Sequence, residues 1–104
     1  MAGDGPERKP VVITERCFEM LDEAANYLKD CYAPHQAEIM KNQFFAAIKL
    51  LEITPWIGTK YKNGMRKIKL GKFRYNIYYK IKDEYISIRG IWHTSRGTDF
   101  EEQE

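Results

Sequence analysis

Positions 60–96 carry eleven Lys and Arg residues against two acids, Asp83 and Glu84. A surplus of that size calls for a polyanionic or acidic partner. One of the two histidines, His93, falls near the end of the same segment. Cations of this kind are enough for a face that holds nucleic acid. The rest of the chain has the opposite sign. Nine acids oppose six basic residues over 1–59, and four acids stand over 97–104 with no basic residue.

Other chemistries find less support. Cys17 and Cys31 have neither CxxC nor metal-type spacing. On one helix, fourteen residues hold them roughly 21 Å apart, which excludes a bridge. Both read as small buried hydrophobes. His35 and His93 lack ligand spacing, so no metal is expected. No phosphate-loop or nucleotide fingerprint is present, and no cofactor is expected. No apolar run approaches the roughly 20 residues of a membrane span. The first residues, up to Pro10, are Gly/Pro-rich and charged and read as a mobile tail, not a secretory signal. With free thiols, this points to the cytoplasm. At 104 residues, 43% hydrophobic and 31% charged, the chain suits one domain with one core.

The elements that must position these residues follow from the hydrophobic period. Pro10-Val11-Val12-Ile13-Thr14 is a β-branched run and predicts a strand. Phe18, Leu21, Ala25, Leu28 and Tyr32 then recur at helical spacing, and Ala33-Pro34 ends that helix. Pro34 opens a second helix with a stripe of Ala37, Met40, Phe44, Ala47, Ile48 and Leu51, which ends at Thr54-Pro55. The short joint makes the two helices an antiparallel hairpin. Residues 56–59 read as a loop and 60–64 as a basic connector. Beyond them a period of two predicts strands over 65–70, 73–80 and 85–93. The expected fold is α+β: a helix hairpin covering one face of a mainly antiparallel four-stranded sheet.

The turns set a register. A two-residue turn at Gly71-Lys72 pairs Lys69 with Arg74 and Ile68 with Tyr75. The next turn pairs Ile81 with Ile86, and continuing pairs Tyr75 with Trp92 and Arg74 with His93. Parity then places Ile68, Leu70, Phe73, Tyr75, Ile77, Tyr79, Ile81, Ile86, Ile88 and Trp92 under the helices. The other face receives Lys67, Lys69, Arg74, Asn76, Tyr78, Lys80, Ser87, Arg89, Ile91 and His93. On it Lys69, Arg74 and His93 form one row across three strands. Like charges opposed on a sheet cost up to roughly 1 kcal/mol per pair, which favours a bound anion there.

At these residues the sequence resembles a known family. Pro55-x-x-Gly58, Gly64-x-Arg66, Gly71-Lys72-Phe73-Arg74-Tyr75-x-Ile77-Tyr78-Tyr79 and Ile86-x-Ile88-x-Gly90-Ile91-Trp92-His93-x-x-Arg96 look like the RelE/ParE toxin pattern over roughly 10–97. The resemblance implies a toxin domain over 10–97, and composition reads 1–9 as a flexible tail and 98–104 as an acidic tail. It implies the toxin of a type II toxin–antitoxin, or plasmid stabilization, module that inhibits growth. The partner would be a cognate antitoxin, with which it forms a hetero-oligomer. ParE-like members poison DNA gyrase by binding it, whereas RelE-like members cut messenger RNA on the ribosome. For a nuclease, a metal-independent endoribonuclease, the resemblance maps the phosphate-stabilising arginine to Arg74, a later arginine to Arg96 and a histidine base to His93. Lys67, Lys69, Arg66, Lys72 and Arg89 are the candidates for holding target or nucleic acid. Trp56, Trp92 and Phe100 are candidate apolar contacts for the antitoxin, with ordinary packing as their commoner role. Gly64-x-Arg66, the long hairpin and the His93-x-x-Arg96 ending resemble the ParE branch, and the nuclease branch stands as the alternative. A non-toxic nucleic-acid-binding module is the further alternative.

Overall fold

The β-branched run near the start forms strand β1 (Val11–Ile13) in the computed structural model, which describes residues 9–31, 33–95 and 99–101. Thr14 caps the helix that follows. The Cys17 amide donates to Thr14 Oγ1 at 3.1 Å, which satisfies one of the amides a helix start leaves open. Helix α1 (Glu15–Cys31) buries Cys17, Met20, Leu21, Ala24, Ala25 and Leu28. That stripe is rotated from the expected one, because Phe18 is exposed. Only one thiol is the expected buried filler: Cys17 is buried and Cys31 is exposed. Burial pushes the Cys17 thiol pKa up to about 12.

Helix α2 (Pro34–Ile53) carries its proline in the first turn and buries Met40, Phe44, Ile48 and Leu51. At its end both the amide and the hydroxyl of Thr54 donate to the Leu50 carbonyl, at 2.8 and 3.1 Å. The two helices form the expected hairpin and pack on one sheet face. Leu70, Ile77, Tyr79, Ile86, Ile88 and Ile91 meet their apolar stripes in a single cluster.

The sheet adds β2 (Thr59–Lys60), β3 (Arg66–Lys69), β4 (Tyr75–Ile81) and β5 (Ile86–His93), in the order β1-β5-β4-β3-β2. β1 lies parallel to β5 and the remaining pairs are antiparallel. The α+β architecture is the one expected, with five strands instead of four. β2 is the addition, pairing Thr59 with Lys67 and Lys60 with Arg66. Two residues are too few to show alternation, so no period marks them in the sequence.

Two details of register differ from expectation. The β3–β4 hairpin is longer, so that Lys69 pairs with Asn76 and Ile68 with Ile77. Gly71 and Lys72 remain the central turn residues, with Gly71 at φ +55°. The Phe73 amide donates to the Leu70 carbonyl at 3.1 Å, and the Leu70 amide to Tyr75 at 2.9 Å. Phe73 and Arg74 therefore belong to the loop. A slip of two residues leaves the faces of both strands unchanged.

The second difference has larger consequences. Tyr79 pairs with Ile88, but Tyr78 pairs with Gly90, so Arg89 is the extra residue of a β-bulge. One added residue exchanges the two faces of the strand beyond it. Ile91 turns into the core at 2% exposure. Trp92, opposite Asn76, moves to the face away from the helices, and His93, opposite Tyr75, moves to the helix side. Simple parity assigns these three residues the other way round.

The thiols provide a check on this packing. Iodoacetamide should modify Cys31 of the folded protein readily and leave Cys17 intact, with both reacting in denaturant. Mass mapping that found the two modified at similar rates in native buffer would contradict the buried position of Cys17.

Candidate functional site

The expected row Lys69–Arg74–His93 is not assembled. Lys67 and Lys69 keep to the face away from the helices, opposite Tyr78 and Asn76. Arg74 leaves the ladder for the hairpin loop, where its carbonyl accepts the Thr94 amide at 2.7 Å. His93 faces the helix side. Its ring meets Tyr75 edge-on at 5.0 Å, and its Nδ1 accepts the Ser95 amide at 3.1 Å. Arg96, the remaining candidate, lies outside the described residues.

His93 nonetheless has polar company. A cleft of about 390 Å³ separates α1 from the end of β5, lined by Arg16, Glu23, Tyr27, Tyr75, His93 and Ser95 among others. A second cleft of about 820 Å³ shares Tyr27, Tyr75, His93 and Ser95 and is also lined by Lys72 and Arg74. The structure thus groups Arg74, Lys72 and His93, and separates them from Lys67 and Lys69. Two cations, an imidazole and two phenols can seat an anion. Sequence reasoning missed Tyr27 and Tyr75 as part of this group, and Arg16 as part of the smaller cleft. Tyr27 projects from α1, and no pattern within the strands points to it.

Arg66 turns out to be occupied. Its Nη1 donates to the Gly58 carbonyl at 2.6 Å and to the Trp56 carbonyl at 3.4 Å. The guanidinium also lies 5.8 Å from the Trp56 ring centre. Beside it the Tyr79 hydroxyl donates to the Pro55 carbonyl at 2.8 Å and accepts the Gly58 amide at 3.0 Å. Burial raises the Tyr79 pKa, and the Gly58 amide and Arg66 partly oppose that. Together the two side chains clamp the 3-10 turn Pro55–Ile57, which displays Trp56 at 65% exposure. Arg66 is thus engaged in holding a turn, whatever else it contacts.

On the face away from the helices, Arg89 donates to Ser87 Oγ at 2.9 Å. Lys67 stands 5.3 Å from the Tyr61 ring centre. Lys72 stands over the Phe73 ring at 5.7 Å, at the hairpin end of the molecule. Part of this face is covered by the chain itself. Phe100 packs on Tyr78 and Trp92, and Glu101 bonds Lys62. That hydrogen bond raises the Lys62 pKa, and burial raises that of Tyr61. Among the described residues no group of three or more His, Cys, Asp or Glu side chains is placed to hold a metal ion. No helix among them is long and apolar enough to cross a membrane.

Comparison with known proteins adds to this geometry. Residues 11–97 match the family described as the ParE toxin of the type II toxin-antitoxin system, parDE. Among solved structures the chain is similar to a chromosomal ParDE TA system from P. aeruginosa, with a TM-score of 0.75 and 16% identity. That alignment covers 86% of this chain and 99% of the other. No curated protein matches.

The clamp and the surface lysines should separate in a denaturation experiment. Tyr79→Phe leaves the Gly58 amide and the Pro55 carbonyl without a partner and should cost roughly 1–3 kcal/mol in urea unfolding. Lys69→Ala should stay within about 0.5 kcal/mol of the parent. Equal losses from the two would contradict the assigned roles.

Proposed function

Because the chain belongs to the ParE toxin family of type II toxin–antitoxin systems, we propose that it is a toxin that arrests growth by binding DNA gyrase and stabilises the replicon that carries it. An antitoxin is the partner that the family implies. The observation that favours binding over cleavage is the division of the cations between two faces. A nuclease built on the expected row needs Arg74 and His93 beside Lys67 and Lys69. Here the bulge and the longer hairpin set them apart. Lys67 and Lys69 stand on a face whose cations suit an acidic or polyanionic surface of a target. In this reading the toxin has no catalytic centre.

A second reading, a ribosome-dependent endoribonuclease, draws on one observation. Arg74, Lys72 and His93 line the same 820 Å³ cleft. In that role Arg74 and Lys72 would hold the scissile phosphate, and His93 would take the proton of the ribose hydroxyl.

The two readings separate in vitro. Purified full-length toxin should inhibit DNA supercoiling by gyrase and leave ribosome-bound messenger intact. His93→Ala should inhibit as well as the parent. Lys67→Glu with Lys69→Glu should weaken inhibition by about tenfold, a loss of roughly 1.4 kcal/mol of binding. A ladder of ribosomal cleavage products abolished by His93→Ala would overturn the gyrase reading and establish the second. Unimpaired growth on induction without the antitoxin would overturn both.

A further inference from the structure

The β-bulge that turns His93 away also leaves a slot on the opposite face. It sets Gly90 opposite Tyr78. A Cβ added at Gly90 would lie 2.8 Å from Phe100 Cε1 and 3.0 Å from Met20 Sδ of α1. The Phe100 ring uses that slot. It stacks on Tyr78 with centres 4.6 Å apart and planes 16° apart, and meets Trp92 at 5.9 Å. Tyr61 packs against Tyr78 at 4.8 Å. Phe100 and Tyr78 are each only 4% exposed as a result.

The contacts flanking the ring are polar and specific to a peptide. The Tyr61 hydroxyl donates to the backbone carbonyl of Phe100 at 3.1 Å. Lys62 bonds the Glu101 carboxylate and lies 4.0 Å from that of Asp99. The slot therefore reads an aromatic ring, the carbonyl of the same residue and an acid on either side. An aromatic anchor in a desolvated pocket with a polar rim is the arrangement that dominates peptide interfaces. Residues 99–101 lie outside the sheet and the helices, so no backbone ladder holds them. Their ion pairs are exposed, and such pairs are weak and screened by salt.

We propose that Tyr61, Tyr78, Gly90 and Trp92 form a peptide-binding slot, that residues 99–101 occupy it as a tethered ligand, and that a partner segment with one aromatic residue between acids displaces them. The inference stands apart from the choice between gyrase and ribosome, since it rests on the strap contacts alone. Tethering holds the strap at an effective concentration on the order of mM, so a competing partner must add contacts beyond the slot. The basic face supplies them to an acidic chain. Lys67 stands beside Tyr61 at the edge of the slot.

The test uses full-length protein and a fluorescein-labelled peptide with the sequence of residues 98–104, read by anisotropy at low salt. The parent chain should bind it poorly, because its own strap fills the slot. Phe100→Ala should bind it about tenfold tighter or more. Adding Gly90→Ala to that variant should abolish the gain, because the methyl would lie 2.8 Å from a seated ring. A peptide with alanine in place of its phenylalanine should not bind. If circular dichroism shows that Phe100→Ala does not fold, Asp99→Asn with Glu101→Gln loosens the strap while keeping the ring, and should bind the peptide several-fold better than the parent. Peptide binding no better than the parent's in the folded variants would overturn the proposal. So would a variant that takes up a seven-nucleotide single strand in preference to the peptide.

Discussion

A β-strand shows alternate residues to its two faces, and one added residue exchanges those faces for everything downstream. In this protein the exchange occurs at Arg89, between the pairs Tyr79–Ile88 and Tyr78–Gly90. Most features of the functional surface depend on it. It drives Ile91 into the core, turns His93 toward α1, and delivers Trp92 to the face away from the helices. It also places a glycine where an aromatic ring has to approach the strand closely. Bulges concentrate beside functional sites because they re-aim side chains in this way.

The charges are arranged around that constraint. Eleven basic residues over 60–96 would crowd a single sheet face. They are distributed instead. Lys67 and Lys69 stay on the face away from the helices, Arg74 and Lys72 leave through the hairpin loop, and Arg66 turns back to the carbonyls of a 3-10 turn. The Arg66–Tyr79 clamp shows how a cation in a basic segment can serve the fold first. Its guanidinium satisfies backbone groups of the turn that displays Trp56.

The ParE family assignment and the geometry meet at particular residues. The ordered set of motifs, from Pro55 to Arg96, falls within the stretch that the family covers, 11–97. Within it, Gly58 and Gly90 have visible physical reasons. Gly58 sits against Tyr79 and the Lys67 carbonyl, and Gly90 against Phe100. Glycines of this kind mark close approaches of backbone to side chain, which no larger residue could replace without displacing its neighbour.

What the sequence determined by itself was local. Periods of 3.6 and 2 placed the helix hairpin and the three long strands within a few residues, because each pattern spans enough positions to repeat. Proline at position 34 and threonine at position 54 marked helix ends through chemistry carried by single residues. The parity of β3 and β4 also survived, since a two-residue slip preserves it. Tertiary structure decided the rest. The two-residue strand β2 exists only because β3 is there to pair with it. The bulge at Arg89 depends on how β5 fits between β4 and α1, and nothing in the spacing Ile86, Ile88, Trp92 announces an extra residue. The site therefore differed from expectation in its composition: one histidine changed faces, and one arginine joined a turn. A phenylalanine far along the chain became the ring that covers the sheet, through contacts between residues 22 to 39 positions apart that no local pattern records.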